Sequence, residues 1–130
     1  MLFLLDTHAL LWWLADSPSL PDSARERIAN PDHDVYVSAV SAWEIAIKRE
    51  LGKLRAPFEL VEVILEEGFT ELPIRLHHGE QAARLPPIHR DPFDRMLVAQ
   101  ATTHNMTILT RDESIARYNV KTAWLSPPQI

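Results

Sequence analysis

The chain contains no cysteine. Disulfides and thiolate metal sites are therefore excluded, and a cytoplasmic location is the expectation. No apolar run approaches the ~20 residues that a membrane span needs. Ala9–Ala15, the longest near the N-terminus, covers seven. The opening MLFLLD lacks a basic segment and meets an acid at Asp6, so it reads as a first strand rather than a signal peptide. None of the six histidines falls in HxxxH spacing. His77 and His78 are adjacent, the others are scattered, and no zinc site is expected. Positive charge is also short, with a formal net charge of −5. A simple nucleic-acid-binding module is usually basic, because phosphate neutralisation drives its affinity. That objection lapses if bound divalent cations offset an acidic cluster. There is no internal repeat, low-complexity tract or linker.

What remains is an ordinary apolar fraction of 46% over 130 residues, enough for the core of a single domain over 1–130. The run 2–5 (LFLL) suits a central strand of a parallel sheet. Strands are also expected at 35–37, 69–72, 107–109 and 120–124. Helices are expected at 8–15, 21–29, 41–51, 57–67, 76–85 and 92–105, with a helical turn at 115–118. Pro21, Gly52 and the pair Pro86-Pro87 mark starts and stops. Strands alternating with helices imply an α/β/α three-layer domain with a mostly parallel central sheet.

Four acids sit at the ends of apolar segments: Asp6, Glu44, Asp94 and Asp112. Each has an ordinary reading as a helix cap. Ser41-x-x-Glu44 fits a capping box. Asp91-Pro92-Phe93-Asp94 offers a cap, a proline in the first turn and an acid at the third position. Asp6 and Asp112 (or Thr110) stand just before short helical segments. Four independent caps predict no convergence, however, whereas ligands of parallel α/β sheets bind outside the carboxyl ends of the strands. Several carboxylates facing one cleft cannot all stay ionised without a cation between them. The acids therefore point to a divalent-metal enzyme, with metal-assisted phosphodiester cleavage the first chemistry to consider. Asp6 and Asp94 are the expected direct metal ligands. Glu44 would ligate directly or through water, and Asp112 would complete the shell or hold a second ion.

Other side chains group around these acids. Thr7, Ser38, Ser41 and Thr110 are placed to orient a carboxylate or a water. Lys48 shares a helix face with Glu44 and offers either an ion pair or a phosphate contact. Arg90, Arg95 and Arg111 flank the acid motifs as candidate RNA-phosphate contacts. His8 and His89 lie near acids, but metal-assisted hydrolysis needs no histidine, and neither is expected to be essential. Trp12, Trp13 and Trp43 read as core or interface residues.

The ordered set DTHALLWWL, SAVSAWEIAIKRELGKL, DPFDRMLVAQA and TRD resembles the PIN domain family, in particular the VapC-like toxins of prokaryotic toxin–antitoxin pairs. The resemblance covers essentially the whole chain. The family's acids fall on Asp6, Glu44, Asp94 and, in a region that varies, Asp112; Asp91 is a second acid beside Asp94, a cap or an outer ligand. This implies a magnesium- or manganese-dependent endoribonuclease with a cognate antitoxin as partner. The rival reading is a non-catalytic acidic-pocket module, receiver-like or a degenerate PIN domain. Against the receiver, the third strand lacks an exposed acid, and Thr110-Arg111 stands where a late lysine would be. The apolar helix from His8 and the segment FELVEVILEEGF suggest exposed apolar surface, and with it a homodimer or an antitoxin groove.

Overall fold

Five parallel strands form the centre of the computed structural model, which describes residues 1–124. In chain order the elements are β1 (Leu2–Leu5), α1 (Thr7–Leu14), α2 (Asp22–Ala29), β2 (Asp34–Ser38), α3 (Ala39–Glu50), α4 (Leu60–Glu66), β3 (Thr70–Leu72), α5 (Leu76–Arg84), α6 (Pro92–His104), β4 (Thr107–Leu109), α7 (Glu113–Ala116) and β5 (Thr122–Ala123). The strand order is β3-β2-β1-β4-β5, and every pairing is parallel.

The pleat explains why helices cover both faces. Successive side chains of a strand point to opposite sides. Phe3 and Leu5 of β1 therefore join Val35, Val37 and Leu109 in one core, under α1, α2, α3 and α4. Leu4 joins Ile108 in the other, under α6 and α7. A strand with both faces buried must be apolar throughout, as LFLL is.

The helical turn expected at 115–118 forms at Glu113–Ala116, the strand expected at 120–124 shortens to Thr122–Ala123, and three further expectations change. The 41–51 helix begins two residues earlier, as α3 at Ala39, capped by Ser38, whose hydroxyl accepts from Val40 N–H at 3.1 Å. Ser41 is therefore inside the helix, and the Ser41–Glu44 capping box does not form. The reason is connectivity: β2 runs straight into α3, so the chain must turn at Ser38 for Val40 to reach the core. The helix expected at 57–67 is shorter, Leu60–Glu66, and no side chain caps it. The apolar helix α1 is mostly packed within its own domain, since Leu11, Trp12, Trp13 and Leu14 all lie against the core. Most exposed large apolar side chains among the described residues sit elsewhere, on and around α3 and α4, where Trp43 is 60% exposed and Phe58 88%, with others at Met1, Ile74 and Leu76.

The scattered histidines also gather. His78, fully buried, joins α5 to His104 of α6 through an Nε2–Nε2 contact of 2.9 Å, with His77 beside it. Arg75 N–H donates to His78 Nδ1 at 2.9 Å, so the ring proton of neutral His78 lies on Nε2, directed at His104. A metal-ligating imidazole donates its second N–H outward. His78 accepts there instead, and the cluster acts as a clasp between two helices. Burial, first, and then His77, His104 and Arg75 hold its pKa below the ordinary value.

Strand order reverses between β1 and β4, which are neighbours although far apart in sequence. The crevice outside the carboxyl ends of such a pair is where open α/β sheets bind ligands. Asp6 directly follows β1, and Thr110–Asp112 directly follow β4.

Candidate active site

Asp6 is fixed from two sides. Its backbone N–H donates to Leu109 O of β4 at 3.2 Å, and its Oδ1 accepts from Ala9 N–H at 2.7 Å, capping α1. Burial raises its pKa above the ordinary carboxylate value, with a further push from Asp112, although the neighbouring Thr110 hydroxyl and the Ala9 N–H pull it down. Capping and site placement thus coexist in one residue.

Asp94 enters from α6. Asp91 caps that helix, its Oδ1 accepting from Phe93 N–H at 2.8 Å, and Pro92 occupies the first turn. Asp94 follows in the same turn. Burial, then Asp91, Asp6 and Asp112, push its pKa up to about 7, against the opposing pull of His89. Asp112 caps α7 through Ser114 N–H at 2.8 Å, while Thr110 Oγ1 accepts from its own N–H at 2.9 Å. Residues following β1, following β4 and starting α6 therefore share one electrostatic site.

His89 sits inside this group. Its Nε2 is 2.9 Å from Asp94 Oδ2 and 3.5 Å from Asp112 Oδ2. Asp91 N–H donates to Nδ1 at 3.2 Å, so the proton of the neutral ring lies on Nε2 and faces the acids. The sequence places His89 near acids without making it essential, and it does not foresee the contact with Asp112. Its imidazole edge thus stands between two carboxylates that otherwise repel.

Glu44, in α3, is buried at the side of the cluster, and both its oxygens have partners. Thr7 Oγ1 donates to Oε1 at 2.7 Å and lies 3.2 Å from Ser41 Oγ. Lys48 Nζ contacts Oε2 at 2.5 Å. That bond, foremost, raises the Lys48 pKa, and Asp91 and Asp94 add to it. Lys48 is thus the cation between Glu44 and the other acids.

The arginines separate cleanly. Arg95, expected to contact RNA phosphate, is turned away: its guanidinium donates to the carbonyls of Ala82 (2.8 Å), Leu85 (2.9 Å), Pro86 (3.0 Å) and His89 (3.3 Å). One residue after Asp94 on a helix means roughly 100° of rotation, which takes it off the acid face. Arg111 instead lies over the Trp12 ring, 5.2 Å from its centroid, beside the acids.

The donor set fits a divalent metal: carboxylate oxygens from separate elements, with the Asp94 pKa pushed up to about 7 first by burial and then by like charges that a cation would offset. His89, Asp94 and Asp112 bring potential ligand atoms within 4.8 Å of one another, and Asp6 lines a cavity together with Asp112; Glu44 stands behind Thr7 and Lys48.

The chain belongs to the PIN domain family, which it matches over residues 3–121. It is 28% identical over 115 residues to ribonuclease VapC22 of Mycobacterium tuberculosis (strain ATCC 25618 / H37Rv), a match spanning 86% of this chain and 88% of that protein. Its fold is similar to chains in VapBC2 from Rickettsia felis bound to a promoter DNA fragment (TM-score 0.67, 12% identity, 95% of this chain and 98% of that one). DNA-bound VapBC from Salmonella typhimurium is similar too (TM-score 0.66, 17% identity, again 95% and 98%).

Proposed function

We propose that the chain is a magnesium- or manganese-dependent endoribonuclease, the toxin of a type II toxin–antitoxin pair. The observation that carries this reading is the convergence of Asp6 after β1, Asp112 after β4 and Asp94 of α6 on one partly buried site at the switch point, where burial first, then Asp91, and then Asp6 and Asp112 push the Asp94 pKa up to about 7 against the pull of His89. The similarity to ribonuclease VapC22 supports RNA as substrate. A bound divalent ion supplies an acidified water and offsets charge on the phosphate. The chain's residues do the rest. Asp6, Asp94 and Asp112 would hold that ion. Thr7 and Thr110 orient the carboxylates of Glu44 and Asp6. Lys48 brings positive charge to a site where the acids alone would repel a phosphate.

An antitoxin partner is supported by the fold neighbours, which are toxin–antitoxin complexes, and by an apolar groove of about 160 Å³ between α3 and α4. Ala39, Ala42, Val61, Ile64 and Leu65 line it. An apolar segment of an antitoxin fits such a groove. Further exposed apolar surface at Leu51 and Leu76 supports a homodimer. The proposed activity is tested by incubating the purified chain with total cellular RNA. Discrete fragments are expected with magnesium or manganese, none with EDTA, and none from Asp6→Asn. Cleavage that persists in EDTA contradicts the reading.

A further inference from the structure

A cavity of about 270 Å³ opens beside the acids, lined by Asp6, His8, Trp12, Arg111, Asp112 and Trp124. Two of these belong to the acid cluster, so whatever fills the cavity is next to the reacting phosphate. The rest of the lining is aromatic or cationic. Trp12 is half-buried, with its ring edge-on to Trp124 (centroids 5.7 Å apart) and tilted against His8 (5.6 Å). The neighbouring Trp13 points elsewhere on α1 and packs on Phe69 in the core. Trp12 also lies against the core, but unlike Trp13 it lines the cavity beside the acids.

Arg111 lies over Trp12, 5.2 Å from the ring centroid, and is exposed. Among the described residues, no side chain or carbonyl accepts a hydrogen bond from its guanidinium. Arg95 and Lys48, by contrast, are engaged by carbonyls and by Glu44. The cation over the indole holds the guanidinium at the cavity, and its donors are open to a ligand. The carboxylates of Asp6 and Asp112 disfavour an anion inside the cavity itself. A flat, neutral group with paired acceptors suits it best. The volume falls below the roughly 300–1,000 Å³ of pockets for drug-sized ligands, which suits one base rather than a longer segment.

We propose that this cavity is a nucleobase subsite flanking the scissile phosphate, with Trp12 as its stacking wall and Arg111 as its donor, and that it prefers guanine. Guanine is the base whose O6 and N7 present two acceptors in the geometry of an arginine fork. The proposal rests on the ribonuclease reading for its place beside a phosphate.

The test measures binding without cleavage. An Asp94→Asn chain is titrated with labelled single-stranded RNA pentamers, four uridines around one central position that is varied through the four bases and an abasic sugar. Anisotropy gives Kd for each. The central guanine should bind about tenfold more tightly than the abasic site, the scale of one stacked base. Adding Arg111→Lys, which keeps the charge and loses the fork, should leave affinity for the abasic strand unchanged and erase the guanine preference. Because Arg111 is exposed, that substitution leaves the core intact; Trp12→Leu provides the second variant and should weaken all four bases alike. Equal affinities for every base and the abasic strand overturn the subsite, as does a guanine preference that survives Arg111→Lys. Failure of the nuclease reading looks different: the preference persists in a chain whose unmutated form cuts no RNA.

Discussion

Asp94→Asn should abolish RNA cleavage and make the protein more stable. The cleavage rate is expected to fall about a thousandfold, the equivalent of ~4 kcal/mol, as befits losing a group that positions the metal. The stability gain follows from the pKa. The folded chain holds the Asp94 proton up to about pH 7, whereas the ordinary value is 3.8. The folded state therefore binds this proton more tightly than the unfolded state does. Ionised Asp94 costs stability in full above pH 7, and the cost is relieved as pH falls from about 7 towards 3.8. At ~1.4 kcal/mol per pH unit the cost is at most about 4 kcal/mol. The neutral asparagine removes it. Thermal melts at pH 8 should show Asp94→Asn several degrees above the parent, and melts at pH 5 a much smaller difference. A destabilised but active variant contradicts both halves of the account.

The second large effect is structural. Arg95 ties the carbonyls at the end of α5 and along the following loop to α6, and one of them belongs to His89. Its Nη1 also lies 3.3 Å from the Tyr118 hydroxyl, which accepts from His89 N–H at 2.9 Å. Carbonyls that lose a charged donor while partly buried are left short of partners, so Arg95→Ala should cost about 3 kcal/mol. Arg95→Lys should recover little, because an ammonium cannot reach four carbonyls in the plane of a fork. Urea denaturation of the three chains measures both values. A Lys variant as stable as the parent but weak in RNA binding would restore the phosphate-contact role that the sequence suggested.

Much of the fold was legible because local and tertiary signals agree. LFLL reads as a doubly buried strand, and Phe3 and Leu5 face one core while Leu4 faces the other. The caps at Asp6, Asp91 and Asp112 also formed as their spacing suggested. The errors arose where two similar residues competed. Ser38 and Ser41 both offer a hydroxyl before an apolar helix, and only the join to β2 decides for Ser38. Arg95 and Arg111 both flank an acid, but their direction depends on helix phase and on what packs across the turn. His89 could not be placed from spacing, because its neighbour Asp112 belongs to a distant segment brought near by β4. The His78–His104 clasp is hidden in the same way, across the packing of α5 on α6.

The central claim is that Asp6, Asp94 and Asp112 meet to hold a divalent cation, and a manganese titration followed by electron paramagnetic resonance tests it most directly. The unmodified chain should suppress the free-ion signal until its sites fill, and the Asp6→Asn and Asp94→Asn chains should lose that suppression. A free-ion signal that rises linearly from the first addition of manganese to the unmodified chain would contradict it.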